Sequence, residues 1–192
     1  MINNIIVFEG QDRCLKSTMI NRLIQKDEAH NYHTLHYGKP PKIETVQDYQ
    51  EKTYKEMFDL LNCDKSFILD RSHIGEMIWS PIYRKYDAKP FIQKLEKKWF
   101  QENKTSKNIF LFILVDSNYD KWKLRDDNQG LNNTSDKEKH LTEIEHFRDS
   151  LNMTSIEQKY LFDLTHWYKE NSDRIDDTAL FNYLYGIISK IQ

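Results

Sequence analysis

The stretch Ile5-Ile6-Val7-Phe8-Glu9-Gly10-Gln11-Asp12-Arg13-Cys14-Leu15-Lys16-Ser17-Thr18 decides the fold. Its apolar run, bounded by Glu9 and Gly10, has the pattern of a strand buried on both faces, as in a parallel sheet. Beyond it Met19, Ile20, Leu23 and Ile24 recur at helical spacing and mark one apolar face. A strand that ends in a glycine turn and feeds a helix aims backbone N–H groups and the positive end of a helix dipole at one point, where an anion fits. The Walker pattern asks for Gly, four residues, Gly, Lys, then Ser or Thr. Gly10, Lys16 and Ser17 are in place, while Leu15 stands where the second glycine belongs. On that pattern Gly10, Cys14 and Leu15 shape the cradle, Lys16 reaches the β and γ phosphates, Ser17 offers its hydroxyl to Mg2+, and Thr18 supports the first helical turn. If position 15 needs a positive φ, its leucine costs about 1–2 kcal/mol. Leu15 is therefore expected to adopt that φ, or the loop to reshape while Gly10, Lys16 and Ser17 converge. The plain alternative is a polar turn with a chance Lys-Ser-Thr.

The 192 residues suit a single domain, 1–192, with one well-buried core. A net charge of -2 and a pI near 6.4 give no basic footprint, so nucleic acid is not an expected partner. Cys14 and Cys63, the two cysteines, make neither a metal quartet nor a disulfide framework and suit a reducing compartment. Cys14 lies beside Arg13 and Lys16, so its thiol is either acidified or an inert small loop residue. Mean hydropathy is -0.80, and the chain opens on a strand without a basic region or long apolar segment. The expectation is a soluble, cytoplasmic protein with no membrane partner.

Outward from the loop, strands are expected at Tyr32–Tyr37, at Ser66–Leu69 ending on Asp70, and at Asn108–Val115 closed by Asp116. Helices are expected over about 45–62, with Tyr54, Met57, Phe58 and Leu61 as its stripe, from Arg71 to the break at Pro81, and over about 89–101. Residues about 118–135 form a polar, glycine-containing stretch expected to be an exposed, mobile lid carrying Arg125. Ser135 with Glu138, and Thr154 with Glu157, read as capping boxes that start two successive helices, the second burying Ile156, Tyr160, Leu161, Leu164 and Tyr168. Arg174–Asp176 is expected as a short edge strand before a final helix with Leu180, Leu184 and Ile188 in its seam. This alternation specifies an α/β fold, an open parallel five-stranded sheet with helices on both faces and ligands at the carboxyl ends of the strands.

Asp70 ends an apolar strand, the position from which a carboxylate holds magnesium, and Arg71 can clamp a phosphate by bidentate hydrogen bonds. The alternative is a surface ion pair. Taken together, Phe8-Glu9-Gly10-Gln11-Asp12-Arg13-Cys14-Leu15-Lys16-Ser17-Thr18 resembles the thymidylate kinase opening Phe-Glu-Gly-x-Asp-Arg-x-Gly-Lys-Ser-Thr, and Asp70-Arg71 resembles that family's Asp-Arg motif. The resemblance implies a P-loop NTPase three-layer sandwich of the nucleoside monophosphate kinase type, ATP and Mg2+ as cofactors, small-molecule nucleotide substrates and a homodimer. It implies that Arg13 stabilises the transferring phosphoryl group, Asp12 contacts the substrate sugar, Arg71 holds the acceptor phosphate, Lys39 adds charge after the second strand, and Arg125 meets the donor nucleotide. Leu15 departs from the cellular enzymes and is similar to some bacteriophage nucleotide kinases. The stretch from Gly38 to Ser66 is short and lacks the family's base-binding segment. Tyr54, Phe58, Trp79 and Tyr83 either stack on a base or belong to core and rim.

Three readings follow. The first is a deoxynucleoside monophosphate kinase, with thymidylate foremost. The second is a deoxynucleoside kinase, since Asp70-Arg71-Ser72 is similar to the Glu-Arg-Ser motif of that family. An alcohol acceptor needs a carboxylate base after the second strand. This chain has His36, Tyr37, Gly38 and Lys39 there, and its first carboxylate, Glu44, lies beyond two prolines. The third is a degenerate module that binds nucleotide without turnover, motivated by Leu15.

Overall fold

The computed structural model describes residues 3–41, 45–102, 107–125 and 136–190. Five parallel strands form one sheet: β1 (Asn3–Gly10), β2 (His33–His36), β3 (Phe67–Asp70), β4 (Lys107–Val115) and β5 (Gln158–Asp163), in the spatial order β2-β3-β1-β4-β5. The helices are α1 (Lys16–Lys26), α2 (Val46–Leu60), α3 (His73–Trp79), α4 (Lys89–Glu102), α5 (Tyr119–Lys123), α6 (Lys137–Met153) and α7 (Asp177–Ser189).

The continuous apolar runs of β1, β3 and β4 are read differently by the two faces of the sheet, because side chains alternate along a strand. Ile5, Val7, Phe67, Leu69, Leu111 and Ile113 face a layer built from α2, α3, α4 and α6. Ile6, Phe8, Ile68, Phe110, Phe112 and Leu114 face α1, α5 and α7 on the other side. The result is the expected three-layer sandwich.

Two expectations near the C-terminus are corrected. Residues 158–163 are the edge strand β5, not the middle of a helix. Tyr160 and Phe162 point to one layer and Leu161 to the other, a period of two that a helical wheel had absorbed as a stripe. Thr154 does not open a capping box: its hydroxyl donates to Glu96 and accepts from Ile156 N. Arg174–Asp176 is not a strand either, and Ile175 makes only an isolated antiparallel bridge to Tyr168. Asp136, rather than Ser135, caps α6, accepting from Lys139 N; Ser135 lies outside the described residues. Pro81 stands at the start of a wide helical turn, Ser80–Arg84, that follows α3.

Register places the site. Phe8 pairs with Asp70 across β1 and β3, and Gly10 with Leu114 across β1 and β4, so the turns leaving the central strands lie side by side. Gly10 has φ 124, and a Cβ on it would stand 1.9 Å from the Leu114 carbonyl oxygen, so only glycine fits.

Candidate functional site

The loop between β1 and α1 runs from the Gly10 turn to the first turn of α1, as expected of an anion cradle's frame. Leu15 adopts φ 61, the left-handed conformation foreseen for the residue in the glycine position, and Arg13 takes φ 64 two residues earlier. Leu15 packs its side chain against the α1 layer, a contact that offsets the backbone cost. Lys16 opens α1, is nearly buried, and bends back so that Nζ donates to the carbonyls of Gly10 at 3.0 Å and Gln11 at 2.6 Å. Burial, then the charge of Arg71, pushes its ammonium below the ordinary lysine range.

A cleft of about 380 Å³ opens over this loop. The loop residues from Asp12 to Thr18 line one wall; His36, Asp70 and Arg71 line a second; Arg125 closes a third. Gly10 lies beneath, in the strand. The Arg71 guanidinium pairs with Asp12. Asp70 Oδ2 lies 2.9 Å from His36 Nδ1. The Arg13 guanidinium stacks 5.0 Å from the Trp122 ring. Cys14 borders the cleft, but its thiol lies in the buried layer beneath, and burial pushes it up to about 12. The acidified-thiol alternative therefore falls away, because desolvation outweighs the nearby cations.

Ser17 and Asp70 share this cleft, and among the described residues no cluster of three or more histidine, cysteine or acidic side chains could hold a metal by itself. That donor set suits magnesium, which takes one or two carboxylates, waters and substrate phosphates.

The start of the expected lid is not mobile polar chain. Residues 119–123 form α5, with Tyr119 and Trp122 buried against the sheet, and Trp122 Nε1 donates to the Asp12 carbonyl at 2.9 Å. Those two aromatics supply the anchor that a count of charged residues concealed. Residues 126–135 of the expected lid lie outside the described residues. Arg125 is held from behind: Asp116, fully buried at the end of β4, accepts from its guanidinium and from the Tyr168 hydroxyl at 2.6 Å.

Gln11 ties the loop to the same region. Its Oε1 accepts from Asp116 N at 3.2 Å, and its Nε2 donates to the His140 carbonyl at 3.1 Å. His140 Nε2 donates to the Asp116 carbonyl at 2.7 Å, which leaves Nδ1 to accept from Gln11 at 3.1 Å. Burial lowers the pKa of this imidazole and favours that neutral form. Gln11, Asp116 and His140 were not singled out as site residues by the sequence. Asp116 carried the signal that marked Asp70, an aspartate closing an apolar strand.

Arg71 also borders a second, narrower slot, walled by Tyr37, Tyr54 and Trp79 with Gln50, Glu76 and Arg84 at its polar end. Exposed Lys39 stands at its mouth. Glu76 is buried and accepts from Gln50 Nε2 at 2.6 Å, from Arg84 and from the Tyr86 hydroxyl. Phe58 is not in either wall. It is packed in the core, 4.8 Å from His73 and 5.8 Å from Trp99 between ring centroids. Tyr83 is at the rim, its hydroxyl donating to Glu143.

No family model and no curated protein matches the chain. Solved structures do. YorR from Bacillus subtilis, in complex with phosphorylated GDP, superposes with a TM-score of 0.66 at 14% identity over 97% of this chain and 96% of that one. Thymidylate kinase from Ehrlichia chaffeensis gives 0.60 at 14% identity over 98% and 100%. Polyphosphate kinase 2 from Arthrobacter aurescens gives 0.59 at 11% identity over 84% of this chain and 60% of that one. The chain has the P-loop kinase fold. At these identities the likeness concerns the fold alone, and the chemistry is argued from the residues.

Proposed function

We propose that this protein transfers the γ-phosphoryl group of ATP, with magnesium, to the phosphate of a deoxynucleoside monophosphate, thymidylate being the first acceptor to test. The observation that carries this reading is the meeting of Lys16, Arg13 and Ser17 from one strand end with Asp70 and Arg71 from the neighbouring one, in a cleft that shares Arg71 with an aromatic slot. The fold likeness to thymidylate kinases from Ehrlichia chaffeensis and Candida albicans supports it.

The acceptor phosphate is already anionic, so no strong base is required; positioning and charge neutralisation suffice. In this scheme Lys16, on leaving the Gly10 and Gln11 carbonyls, would meet the donor phosphates together with Arg13, Arg71 would hold the acceptor phosphate, and Arg125 would close in from the end of α5. Ser17 and Asp70 would hold the magnesium ion, which supplies neutralisation of charge on the phosphates. Asp12, paired with Arg71, stands where a sugar hydroxyl could exchange with that partner, while Tyr54 and Trp79 would flank the base. Cytoplasmic location, which rests on cysteine usage and mean hydropathy, and pairing into a homodimer, which rests on the family resemblance, belong to the same proposal.

An alcohol acceptor is less well served. The end of β2 presents His36, engaged with Asp70, where that chemistry wants a carboxylate. Purified protein with magnesium ATP and a panel of deoxynucleosides and their monophosphates separates the readings. Diphosphate products support the proposal, and monophosphates formed only from nucleosides overturn it. Nucleotide binding without turnover would instead assign a binding module.

A further inference from the structure

Glu9, the residue before the loop glycine, is fully buried, and no step above uses its carboxylate. Its Oε1 accepts from Ser72 N at 2.5 Å, from Ser72 Oγ at 3.0 Å and from Gly75 N at 3.0 Å. Its Oε2 has no hydrogen-bond partner among the described residues. These contacts reach across from β1 to the turn that carries Arg71. That turn needs holding: Arg71 has φ 68 without being glycine, a conformation that persists only where its surroundings impose it. Arg71 N donates to the Phe8 carbonyl at 2.9 Å, and the next amide, Ser72 N, donates to Glu9. Two consecutive residues of the central strand thus grip two consecutive amides of the turn.

The grip has a steric condition. A Cβ on Gly75 would stand 3.0 Å from both carboxylate oxygens of Glu9 and 3.1 Å from Trp79 Nε1, so glycine lets α3 lie this close without displacing either side chain. Ser72 completes the arrangement, donating its hydroxyl to Glu9 while accepting from Ile74 N at 3.2 Å. On the donor side the Lys16 ammonium is bonded to the Gly10 and Gln11 carbonyls and makes no hydrogen bond to Glu9, which reaches it only as a minor charge effect.

We propose that Glu9 is a positioning residue for Arg71: its Oε1 fixes the turn after β3, and so sets where the guanidinium meets the acceptor phosphate, without itself touching substrate. This rests on the phosphoryl-transfer reading for its kinetic consequence, though not for its structural one. The role belongs to an acceptor oxygen rather than to charge, so Glu9→Gln, which keeps a carbonyl oxygen for the same donors, should retain function where Glu9→Ala does not.

The test measures steady-state kinetics with acceptor and ATP varied separately, together with amide hydrogen exchange at Ser72 and Gly75. For Glu9→Ala the acceptor KM should rise on the order of tenfold while the ATP KM stays within about threefold, and both amides should lose protection. Glu9→Gln should stay near wild type in all these measures. Gly75→Ala presses on the Glu9 carboxylate and on the Trp79 indole alike, so its readout is amide exchange at Ser72, which should lose protection; that measurement serves in place of Glu9→Ala if the latter fails to fold. An unchanged acceptor KM, an equal rise in both KM values, or a Glu9→Gln variant as impaired as Glu9→Ala overturns the proposal. If wild-type protein turns over no monophosphate, the phosphoryl-transfer reading fails. Exchange at Ser72 and Gly75 then decides alone whether Glu9 holds the turn.

Discussion

Around the cleft, Lys16 is bonded to backbone carbonyls, Arg71 to Asp12, and Arg125 to Asp116 behind it, all facing an open volume of about 380 Å³. In the slot on the far side of Arg71, Glu76 is surrounded by Gln50, Arg84 and Tyr86, and the free volume is about 20 Å³. The cleft offers positive charge and room for an anion. Both places pair their charges internally, and they differ in room: the slot as it stands is too narrow for a nucleobase. On the proposed function, the phosphate end of the site is already open and the base end is not.

The largest expected effect is the one that would break this contrast at its open end. Lys16→Ala should lower kcat by on the order of 10²–10³, the scale for removing one preorganised donor to a transition state. Circular dichroism should report an unchanged fold; an active, well-folded variant removes the phosphate-site assignment. At the closed end, Glu76→Gln leaves Arg84 without its carboxylate and should lower stability by about 1–3 kcal/mol in urea unfolding. An unchanged midpoint would mean that the slot is not held by Glu76.

A third measurement compares buried carboxylates of opposite behaviour. Burial raises the Glu76 carboxyl against the pull of Arg84 and its hydrogen bonds. Burial acts the same way on Glu96, yet its bond to His73 at 3.0 Å, with Ser155 N and the Thr154 hydroxyl, holds it below the ordinary range. Glu96 therefore contributes stability that is present above its unfolded pKa and is lost as pH falls through its lower folded value. Melting temperature should drop over that acidic interval, and the drop should flatten in Glu96→Gln; a profile as steep as wild type contradicts the assignment. The smallest effect is expected for Leu15→Gly. Relief of the left-handed backbone, about 1–2 kcal/mol, is offset by lost packing and greater chain entropy, so stability should move by less than about 1 kcal/mol with turnover kept. A large loss in thermal melting would show that Leu15 is held mainly by its side chain.

Much of the cleft was legible because its parts are local. Gly10, Lys16 and Ser17 are close in sequence, and Asp70-Arg71 follows directly from a strand. The slot was not, because Gln50, Glu76 and Arg84 come from α2, α3 and the turn after α3, and no spacing links them. Phe58 shows the same limit from the other side: an aromatic at helical spacing carries no mark of whether it will face a pocket or, as here, His73 and Trp99 in the core. β5 was missed because Tyr160, Leu161 and Leu164 lie on one helical face while Tyr160 and Phe162 share a strand face, and so short a run fits either period.

By itself the sequence determined the first four strands, most of the helices between them and the two conformations open to the loop at Leu15, since apolar periodicity and backbone sterics act over a few residues. Only the tertiary structure decided the strand order β2-β3-β1-β4-β5. That order sets Asp70 beside Phe8 and Leu114 against Gly10, and it brings Glu9 to the Arg71 turn and Asp116 to Arg125. Such pairings depend on how distant strands register in a shared core, a property of the whole chain's packing that no local window contains.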